Sequence, residues 1–353
     1  MVENLHKEAL TLLSQLVKTP SLSKEENETA SIIASFLEQK EIEYERWDNN
    51  IIAKKQSFDT SKATIVLNSH HDTVKVVEGW TKDPHGAEIS NGKLYGLGSN
   101  DAGASLVGLI STFVHFYNKN LDFNLVLIAS AEEEIFGPKG IKSVLPKLDF
   151  SISLGIVGEP TEMQMAVSEK GLLVIDGLAK GEAGHAARPN GKNAIDIATK
   201  DIKAINDFEF PKSSAVLGPV VKSVTQIKAG YQHNVIPDTC EFVIDVRVND
   251  QYSLQEAFQI LQDQCTSELT ARSFNNRPSK INLSHPIIKS GTNIGLNHFG
   301  SATLSDQVHF DCPTLKIGIG KSERSHQADE HIYLQELYDG IDTYIKLIEG
   351  LKL

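Results

Sequence analysis

The sequence predicts an α/β fold in which a domain with a mostly parallel sheet is interrupted by an inserted, ferredoxin-like α+β domain. Two observations support this prediction. In the first half of the chain, short apolar runs alternate with amphipathic helical patterns, which is typical of helices layered on a parallel sheet. After Glu169 the order changes to strand, helix, strand, strand, helix and strand. That order is the one found in small ferredoxin-like units.

The elements of the first domain follow from the spacing of apolar residues. Residues 5–17 and 28–39 have near-helical apolar spacing, and both are predicted helices. Residues 64–67 and 125–129 are short continuous apolar runs, as expected for buried strands. Between them, residues 104–117 form a further helical pattern, and residues 334–351 form the last one. Strands separated by helices in this way favour parallel pairing.

The inserted domain is predicted from its own run of elements. The predicted strands are 172–178, 220–227, 239–248 and 280–283, and the predicted helices are 194–208 and 254–269. Alternate residues from Cys240 to Val248 are apolar, so Arg247 is expected on the other, more polar face of its strand. We therefore expect residues 1–170 and 286–353 to form one domain and residues 171–285 the other.

Composition limits the possible partners. The chain has 353 residues, enough for more than one hydrophobic core. Its formal net charge of -12 argues against nucleic acid and anionic membranes as partners. The three cysteines Cys240, Cys265 and Cys312 are scattered and odd in number, which favours reduced thiols. The N-terminus lacks a basic region followed by an apolar core, so we expect no signal peptide and a cytoplasmic location.

Acidic and histidine residues follow short apolar runs at five places: His70-His71-Asp72, Asp101, Glu132-Glu133-Glu134, Glu159 and His326. In an open α/β sheet, ligands bind outside the carboxyl ends of the strands, where loops distant in sequence converge. Carboxylates and imidazoles are usual ligands of zinc, cobalt and manganese. The pattern therefore predicts one pooled metal site.

Each motif also has an ordinary structural interpretation when it is taken alone. Asp72 is suitably spaced to orient a metal-bound His70, although His71 remains an alternative ligand. Asp101 alone is typical of a helix N-cap. The three adjacent acids repel one another unless a cation or proton offsets their charge, but solvated acidic runs at strand ends are common. The turns around Glu159 and His326 are equally compatible with turn chemistry.

Seven motifs taken in order make the chain recognisable. They are Ser-His-His-Asp-Thr-Val at 69–74, Tyr-Gly-Leu-Gly-Ser-Asn-Asp at 95–101, Ala-Glu-Glu-Glu at 131–134, Val-Gly-Glu-Pro-Thr at 157–161, Gly-His-Ala-Ala-Arg-Pro at 184–189, Asn-Val-Ile-Pro at 234–237 and Ser-His-Gln-Ala-Asp-Glu at 325–330. Together these motifs, which cover nearly the whole chain, resemble the acetylornithine deacetylase and succinyl-diaminopimelate desuccinylase family of zinc hydrolases, to which aminoacylases and certain dipeptidases are related.

The resemblance implies a metal centre and a catalytic base. The residues 1–170 and 286–353 would be a metal-binding catalytic domain that holds one or two Zn²⁺ ions per subunit, with Co²⁺ as a substitute. Glu133 would be the general base, with Asp72 as a further catalytic residue and Glu132 in neither role. The implied ligands are His70, Asp101 and Glu159 for one ion and Asp101, Glu134 and His326 for the second, with Asp101 bridging.

The resemblance also implies roles for the inserted domain, residues 171–285, as a lid and dimerisation domain of a homodimer. His185 would reach a neighbouring subunit's active site and polarise the scissile carbonyl. Asn234 would contact the substrate, and Arg247 would hold its carboxylate. From the residues alone, His185 is an ordinary loop histidine and Arg247 an exposed strand arginine.

The function implied is metal-dependent hydrolysis of the N-acyl amide bond of a small N-acyl amino acid. The acetylornithine deacetylase branch looks closest, with N-acetylornithine, N-acetylcitrulline or an N-succinyl analogue as substrate in arginine biosynthesis. The alternative is a succinyl-diaminopimelate desuccinylase of lysine biosynthesis, or a related dipeptidase or aminoacylase. A non-catalytic binding protein on the same fold is a different possibility, against which the intact Glu133 argues.

Some residues depart from the family pattern. Ser69 stands where the family has glycine, and the Arg, Met and Lys that usually flank the bridging aspartate are absent around Asp101. Lys316, Lys321 and Arg324 lie near His326 in sequence. These three cations are either partners for a succinyl carboxylate or ordinary surface charges.

Overall fold

In the computed structural model, which describes residues 2–188 and 190–353, the chain divides into two units. Unit 1 contains the residues up to Val167 together with Ile281–Phe299 and Ser305–Leu353, and unit 2 contains Ser168–Lys280 and Gly300–Leu304. The predicted domain boundaries at 170/171 and 285/286 lie a few residues C-terminal to the observed boundaries after Val167 and Lys280. Residues 300–304, expected in the first domain, lie in unit 2. Pro189, the last residue of the Gly-His-Ala-Ala-Arg-Pro motif, lies outside the described residues.

Helices and strands are numbered in chain order. The helices are α1 (Val2–Lys18), α2 (Asn27–Gln39), α3 (Ala104–Phe116), α4 (Ile141–Val144), α5 (Ala194–Asp207), α6 (Leu254–Gln262), α7 (Pro286–Asn293) and α8 (Leu334–Glu349). The strands are β1 (Glu45–Trp47), β2 (Asn50–Lys54), β3 (Thr64–His70), β4 (Glu88–Ser90), β5 (Lys93–Tyr95), β6 (Asn124–Ser130), β7 (Leu154–Val157), β8 (Met165–Glu169), β9 (Gly171–Lys180), β10 (Gly184–His185), β11 (Val221–Ala229), β12 (Val235–Ile236), β13 (Thr239–Val248), β14 (Glu268–Ala271), β15 (Ser279–Lys280), β16 (His298–Ser301), β17 (Thr314–Lys316) and β18 (His331–Tyr333).

Unit 1 is built on a sheet with the strand order β1-β2-β6-β3-β7-β17-β8. Its centre, β6-β3-β7-β17, is parallel, and the outer strands pair antiparallel. Every residue of β3 and β6 is buried, as expected for strands covered on both faces. The predicted α/β fold with a largely parallel sheet is therefore confirmed.

Two hydrophobic cores lie on the two faces of this sheet. Along β3, Ile65 and Leu67 belong to the core with α1, α2, α3 and α8, whereas Val66 belongs to the core with α4. This alternation follows from the two-residue period of a strand. Because helices cover both faces, the carboxyl ends of the central strands remain the open edge where side chains can converge.

Unit 2 contains a four-stranded antiparallel sheet in the order β11-β13-β9-β14. With α5 and α6 it has the predicted ferredoxin-like element order, which is confirmed. Two details of the prediction were wrong. The helix predicted over residues 254–269, α6, ends at Gln262 because a polar turn follows it, in which Asp201 accepts the N–H groups of Thr266 and Ser267. The fourth strand of the sheet is therefore β14 and not the predicted strand 280–283, since residues 279–280 pair with β8.

None of the helices within the described part of the chain is both long enough and apolar enough to cross a membrane.

Candidate metal centre

The five predicted ligand positions meet at the carboxyl edge of the parallel sheet in unit 1. His70 is the last residue of β3, and Glu159 follows the end of β7 by two residues. Glu134 lies in the short turn Glu133–Ile135 after β6. Asp101 lies in the irregular turn Ser99–Gly103 before α3, and its side chain does not cap that helix. His326 lies in the segment between β17 and β18.

The two carboxylate oxygens of Asp101 face two different histidines. His70 Nε2 is 3.5 Å from Asp101 Oδ1, and His326 Nε2 is 3.5 Å from Asp101 Oδ2. His70 Nε2 is also 3.8 Å from Glu159 Oε1, while His326 Nε2 is 3.1 Å from Glu134 Oε2. This is the arrangement that a carboxylate bridging two cations requires.

The surroundings of His70 fit a divalent cation. Within the part of the chain that the structure describes, its buried Nε2 has no hydrogen-bond partner. Its Nδ1 is 3.0 Å from the carbonyl oxygen of Asp72 and 3.4 Å from Asp72 Oδ1. A metal-bound histidine normally donates its second N–H to a carboxylate or carbonyl in this way. Imidazole and carboxylate donors together suit zinc.

Donor atoms fall into two close groups among the described residues. One group contains His70, Glu133 and Glu159, and the other contains His70, Asp101 and Glu134, with donor atoms within 4.8 Å of one another in each. Glu133 Oε2 is 4.0 Å from His70 Nε2. Distance alone therefore makes Glu133 a potential ligand as well as a potential base.

His71 faces away from the centre. Its Nδ1 is 2.9 Å from Thr29 Oγ1, and its Nε2 is 2.9 Å from the carbonyl oxygen of Asn49. Burial lowers the pKa of His71 below its ordinary value of 6.5. Because both ring nitrogens have protein partners, the geometry favours His70 over His71 as the ligand.

Buried side chains accept the backbone N–H groups of residues 131–134, which we call the acidic turn. The four consecutive N–H groups of residues 131–134 donate in order to Asn50 Oδ1 (3.1 Å), Glu26 Oε1 (3.1 Å), Asp72 Oδ1 (3.0 Å) and Asp72 Oδ2 (3.2 Å). Glu132 has a positive φ of 55°, and its carboxylate accepts the N–H of Lys139 at 3.1 Å. The turn thereby directs Glu132 away from its two acidic neighbours.

Burial and mutual repulsion dominate the electrostatics of the centre. Burial and then the charge of Glu159 raise the pKa of Glu133 well above its ordinary value of 4.5. Burial also raises the pKa of Glu159 well above that value. The hydrogen bond to Glu134 raises the pKa of His326 to about 9. Burial lowers the pKa of His70, but the neighbouring carboxylates of Asp101 and Asp72 outweigh burial and raise it well above 6.5. Such an excess of buried carboxylates favours a bound cation or retained protons.

Several residues of this region were not predicted from the sequence. Asp306 is buried, accepts a hydrogen bond from Ser130 Oγ at 2.7 Å, and has its pKa raised to about 7, mainly by burial. Ser69, the residue that departs from the family glycine, donates from its hydroxyl to the carbonyl of Gly158 at 2.8 Å. Glu26, Asn50 and Asp306 lie in no recognisable motif, so no local signal indicated them.

The inserted-domain residues lie in unit 2. His185 is exposed on β10, which pairs with β12, and the N–H of Ala187 donates to its Nδ1 at 3.1 Å. Asn234 directly precedes β12, and its carbonyl accepts the N–H of Ala186 at 3.0 Å. Among the described residues, its buried Oδ1 has no hydrogen-bond partner. The structure thus brings His185 and Asn234 to the same two-stranded ladder.

Arg247 has a partner that the sequence did not predict. Its guanidinium donates to both oxygens of Asp245, two residues earlier on β13, at 2.8 and 3.1 Å. The side chain of Arg247 is 37% exposed, so the pair remains open to solvent.

The cations near His326 are mostly engaged. Lys321 Nζ is 2.7 Å from Glu162 Oε2. Arg324 forms a bidentate pair with Glu336 at 2.6 and 3.0 Å. Lys316 is buried on β17. For Lys321 and Arg324 the interpretation as paired charges is therefore favoured over that of free partners for a succinyl group.

Comparison with known proteins identifies the family. The model for peptidase family M20/M25/M40 matches residues 66–350. The chain belongs to this peptidase family. The match confirms the resemblance drawn from the seven motifs and the prediction that the chain is a hydrolase of the amidohydrolase type.

Curated relatives match over most of their length. A succinyl-diaminopimelate desuccinylase of Cereibacter sphaeroides (strain ATCC 17025 / ATH 2.4.3) is 25% identical over 93% of this chain and 94% of the relative. Succinyl-diaminopimelate desuccinylase 2 of Ruegeria sp. (strain TM1040) is 23% identical over 92% of this chain and 90% of the relative. A peptidase M20 domain-containing protein of Schizosaccharomyces pombe is 26% identical over 96% of this chain and 84% of the relative.

Solved structures share the fold. A dinuclear metal binding peptidase of the M20 family from Bacillus subtilis superposes with a TM-score of 0.76 at 17% identity, covering 99% of this chain and 100% of the other. A metallo-carboxypeptidase of the M20 family from Sulfolobus solfataricus has a TM-score of 0.75 at 17% identity, covering 97% and 98%.

Proposed function

We propose that this chain is a two-metal amidohydrolase that removes an acyl group from the nitrogen of an amino acid. The observation that carries the proposal is the position of Asp101, whose two oxygens each lie 3.5 Å from a different histidine. His70, Asp101 and Glu159 would hold one ion, and Asp101, Glu134 and His326 the other. The Bacillus subtilis structure, described as a dinuclear metal binding peptidase, supports this stoichiometry. The ions proposed are Zn²⁺, with Co²⁺ as a substitute.

Residues of this chain would carry out and support the proton transfers of amide hydrolysis. When bound, the ions would act as Lewis acids and lower the pKa of the attacking water. Glu133 would take the proton from that water and return it to the leaving nitrogen. Asp72 would keep the His70 ring oriented and, by accepting two backbone N–H groups, keep Glu133 and Glu134 on the turn that faces the centre.

The inserted domain would complete the site as a lid and dimerisation domain of a homodimer. In this proposal His185 of a neighbouring subunit polarises the scissile carbonyl and stabilises the developing oxyanion. Asn234 would contact the substrate from the same ladder. Arg247 would bind the substrate carboxylate, and its existing bidentate pairing with Asp245 supports a geometry suited to carboxylates.

The substrate class is narrowed by the curated relatives. The sequence motifs favoured N-acetylornithine, but relatives aligned over more than nine tenths of the chain are named succinyl-diaminopimelate desuccinylases. We therefore put N-succinyl-diaminopimelate, a substrate of lysine biosynthesis, ahead of N-acetylornithine. Among the solved structures are dipeptidases, such as human carnosine dipeptidase 1, at 14% identity. Dipeptides consequently belong in any test.

A substrate panel with the zinc-loaded and metal-free protein tests the proposal. The panel contains N-succinyl-diaminopimelate, N-acetyl- and N-succinylornithine, N-acetyl- and N-succinylcitrulline and a simple dipeptide. We expect metal-dependent release of a free amine from at least one N-acyl amino acid. N-succinyl-diaminopimelate should be hydrolysed fastest. Binding of metal without hydrolysis of any amide would overturn the proposal in favour of a non-catalytic protein.

A further inference from the structure

Two segments that carry two of the three proposed ligands of the second ion, Asp101 and His326, are joined by side chains outside the ligand set. We call residues 96–101 the Asp101 turn and residues 320–330 the His326 segment. Glu330, which is 2% exposed, lies at the end of the His326 segment. Its Oε1 accepts the N–H groups of Asn100 and Asp101, both at 2.9 Å, and its carbonyl accepts the N–H of Gly96 at 2.9 Å.

Asn100 makes the reciprocal connection from the Asp101 turn. Its fully buried side chain donates to the carbonyl of Lys321 at 3.0 Å and to Ser325 Oγ at 3.4 Å, and it accepts the N–H of Lys321 at 2.9 Å. Gly320 has a φ of +97°, and a Cβ there would collide with the Asn100 amide. Glycine at this position therefore allows the amide to approach the backbone of the His326 segment.

We infer that Glu330 and Asn100 are positioning residues that preassemble the second metal position by locking the His326 segment onto the Asp101 turn. The inference rests on the proposed two-metal function. His326 itself has a side chain that is 52% exposed and a positive φ of 59°. Its ring contacts Glu134 from the far side of the centre, 3.1 Å from Nε2 to Oε2, while the contacts of Glu330 and Asn100 set the distance between its own segment and Asp101.

The first metal position has a different support. His70 ends β3 and Glu159 follows β7, two neighbouring strands of the parallel sheet, and Ser69 ties these strand ends together. Loosening the His326 segment therefore leaves that pair in place. The expected consequence is unequal. The first ion keeps the strand-supported pair His70 and Glu159, whereas the second depends on Asp101 and His326, which Glu330 and Asn100 hold together.

Calorimetric titration of the metal-free, full-length protein with Zn²⁺ tests this selectivity. Glu330→Ala and Asn100→Ala should weaken binding of the second ion by about 10–100-fold, the usual cost of losing an outer-shell partner. Binding of the first ion should weaken by less than about tenfold, below that outer-shell cost, because His70 and Glu159 keep their strand supports. Glu330→Gln, which retains one acceptor oxygen, should have an intermediate effect. Glu323→Gln makes the same charge change at an exposed position of the His326 segment and should titrate like the wild type.

The outcomes separate the inference from the function on which it rests. A wild-type protein that binds only one Zn²⁺ ion contradicts the two-metal function. Two ions in the wild type with unchanged affinities in Glu330→Ala and Asn100→Ala overturn the positioning role, as does an equal loss at both positions. If circular dichroism finds Glu330→Ala unfolded, Glu330→Gln and Asn100→Ala decide the question by the same titration.

Discussion

Replacing Asp72 with Asn perturbs the support of the acidic turn with almost no change in side-chain volume. Asp72 is buried, and its Oδ1 accepts the N–H of Glu133 while its Oδ2 accepts the N–H of Glu134 and the hydroxyl of Ser23 at 2.7 Å. An asparagine has one acceptor oxygen where aspartate has two. Whichever way the amide turns, its NH₂ group faces a backbone N–H that previously donated to a carboxylate.

The expected cost can be worked out from these bonds. One buried backbone N–H loses its acceptor, which costs about 1–3 kcal/mol. The remaining backbone bond changes from a charged to a neutral acceptor, which costs about 1 kcal/mol more. The Ser23 hydroxyl can rotate and accept from the amide instead. We therefore expect Asp72→Asn to lower the free energy of unfolding of the metal-free protein by about 2–4 kcal/mol, most of it from the orphaned N–H.

Urea denaturation in the presence of a chelator measures this cost. Ser23→Ala, which removes only the hydroxyl bond to Asp72, is the matched control and should cost less. Zinc titration of Asp72→Asn should also reveal a 10–100-fold weaker affinity, roughly the usual effect of losing the partner that orients a ligating histidine. Stability and zinc affinity both within error of the wild type would refute the reasoning.

Three further predictions concern catalysis and protons. Glu133→Gln should keep its bound metal and lose about 10²–10⁴-fold in kcat, as measured by metal analysis and amine release; near-normal turnover would exclude Glu133 as the base. His185→Ala should lower kcat by about 10²–10³-fold at unchanged metal content, and unchanged turnover would remove the oxyanion role. In the metal-free protein, burial raises the pKa of Asp306 to about 7 and of Glu330 to about 8, and Glu134 raises that of His326 to about 9. The folded state therefore keeps protons that the unfolded state releases, so the free energy of unfolding should fall from about pH 5 to about pH 9. Saturating Zn²⁺ should reverse that fall, because ligands bind metal in their deprotonated forms; a metal-free protein that becomes more stable over this range would contradict the assignment of retained protons.

The parallel sheet of unit 1 was predictable because its signals are local. The apolar runs at 64–67 and 125–129 are continuous, and a strand buried on both faces needs such a run. The helical spacing of residues 5–17 was equally clear, and α1 covers it. Carboxyl ends of parallel strands share one edge, so the meeting of His70 and Glu159 followed from strand assignment alone.

The errors in unit 2 have a cause that is distant in the sequence. Leu269 continues the apolar spacing of the helix that begins at Leu254, so the pattern does not mark the end of α6 at Gln262. The turn that ends the helix is held by Asp201, which comes from α5, more than sixty positions earlier in the chain. The spacing of apolar residues does not indicate a hydrogen bond between residues so far apart in the sequence.

The choice between His70 and His71 depended on tertiary contacts. Neighbouring residues at a strand end point to opposite sides, but the sequence does not say which side is the centre. Thr29 from α2 and the backbone of Asn49 take both nitrogens of His71. His70 is left facing the carboxylates.

By itself, the sequence determined the fold class, the family and the identity of the candidate ligands, because apolar periodicity and short ordered motifs are properties of neighbouring residues. Only the tertiary structure decided how the candidate site is supported. The turns that carry ligands are held by three side chains that accept their backbone N–H groups: Glu26, Asn50 and Glu330. Each of these side chains is 81 to 230 positions away in the sequence from the N–H group that it accepts. A backbone N–H is present at almost every residue, so its partner leaves no signature in the sequence. These contacts exist only once the fold has brought the segments together.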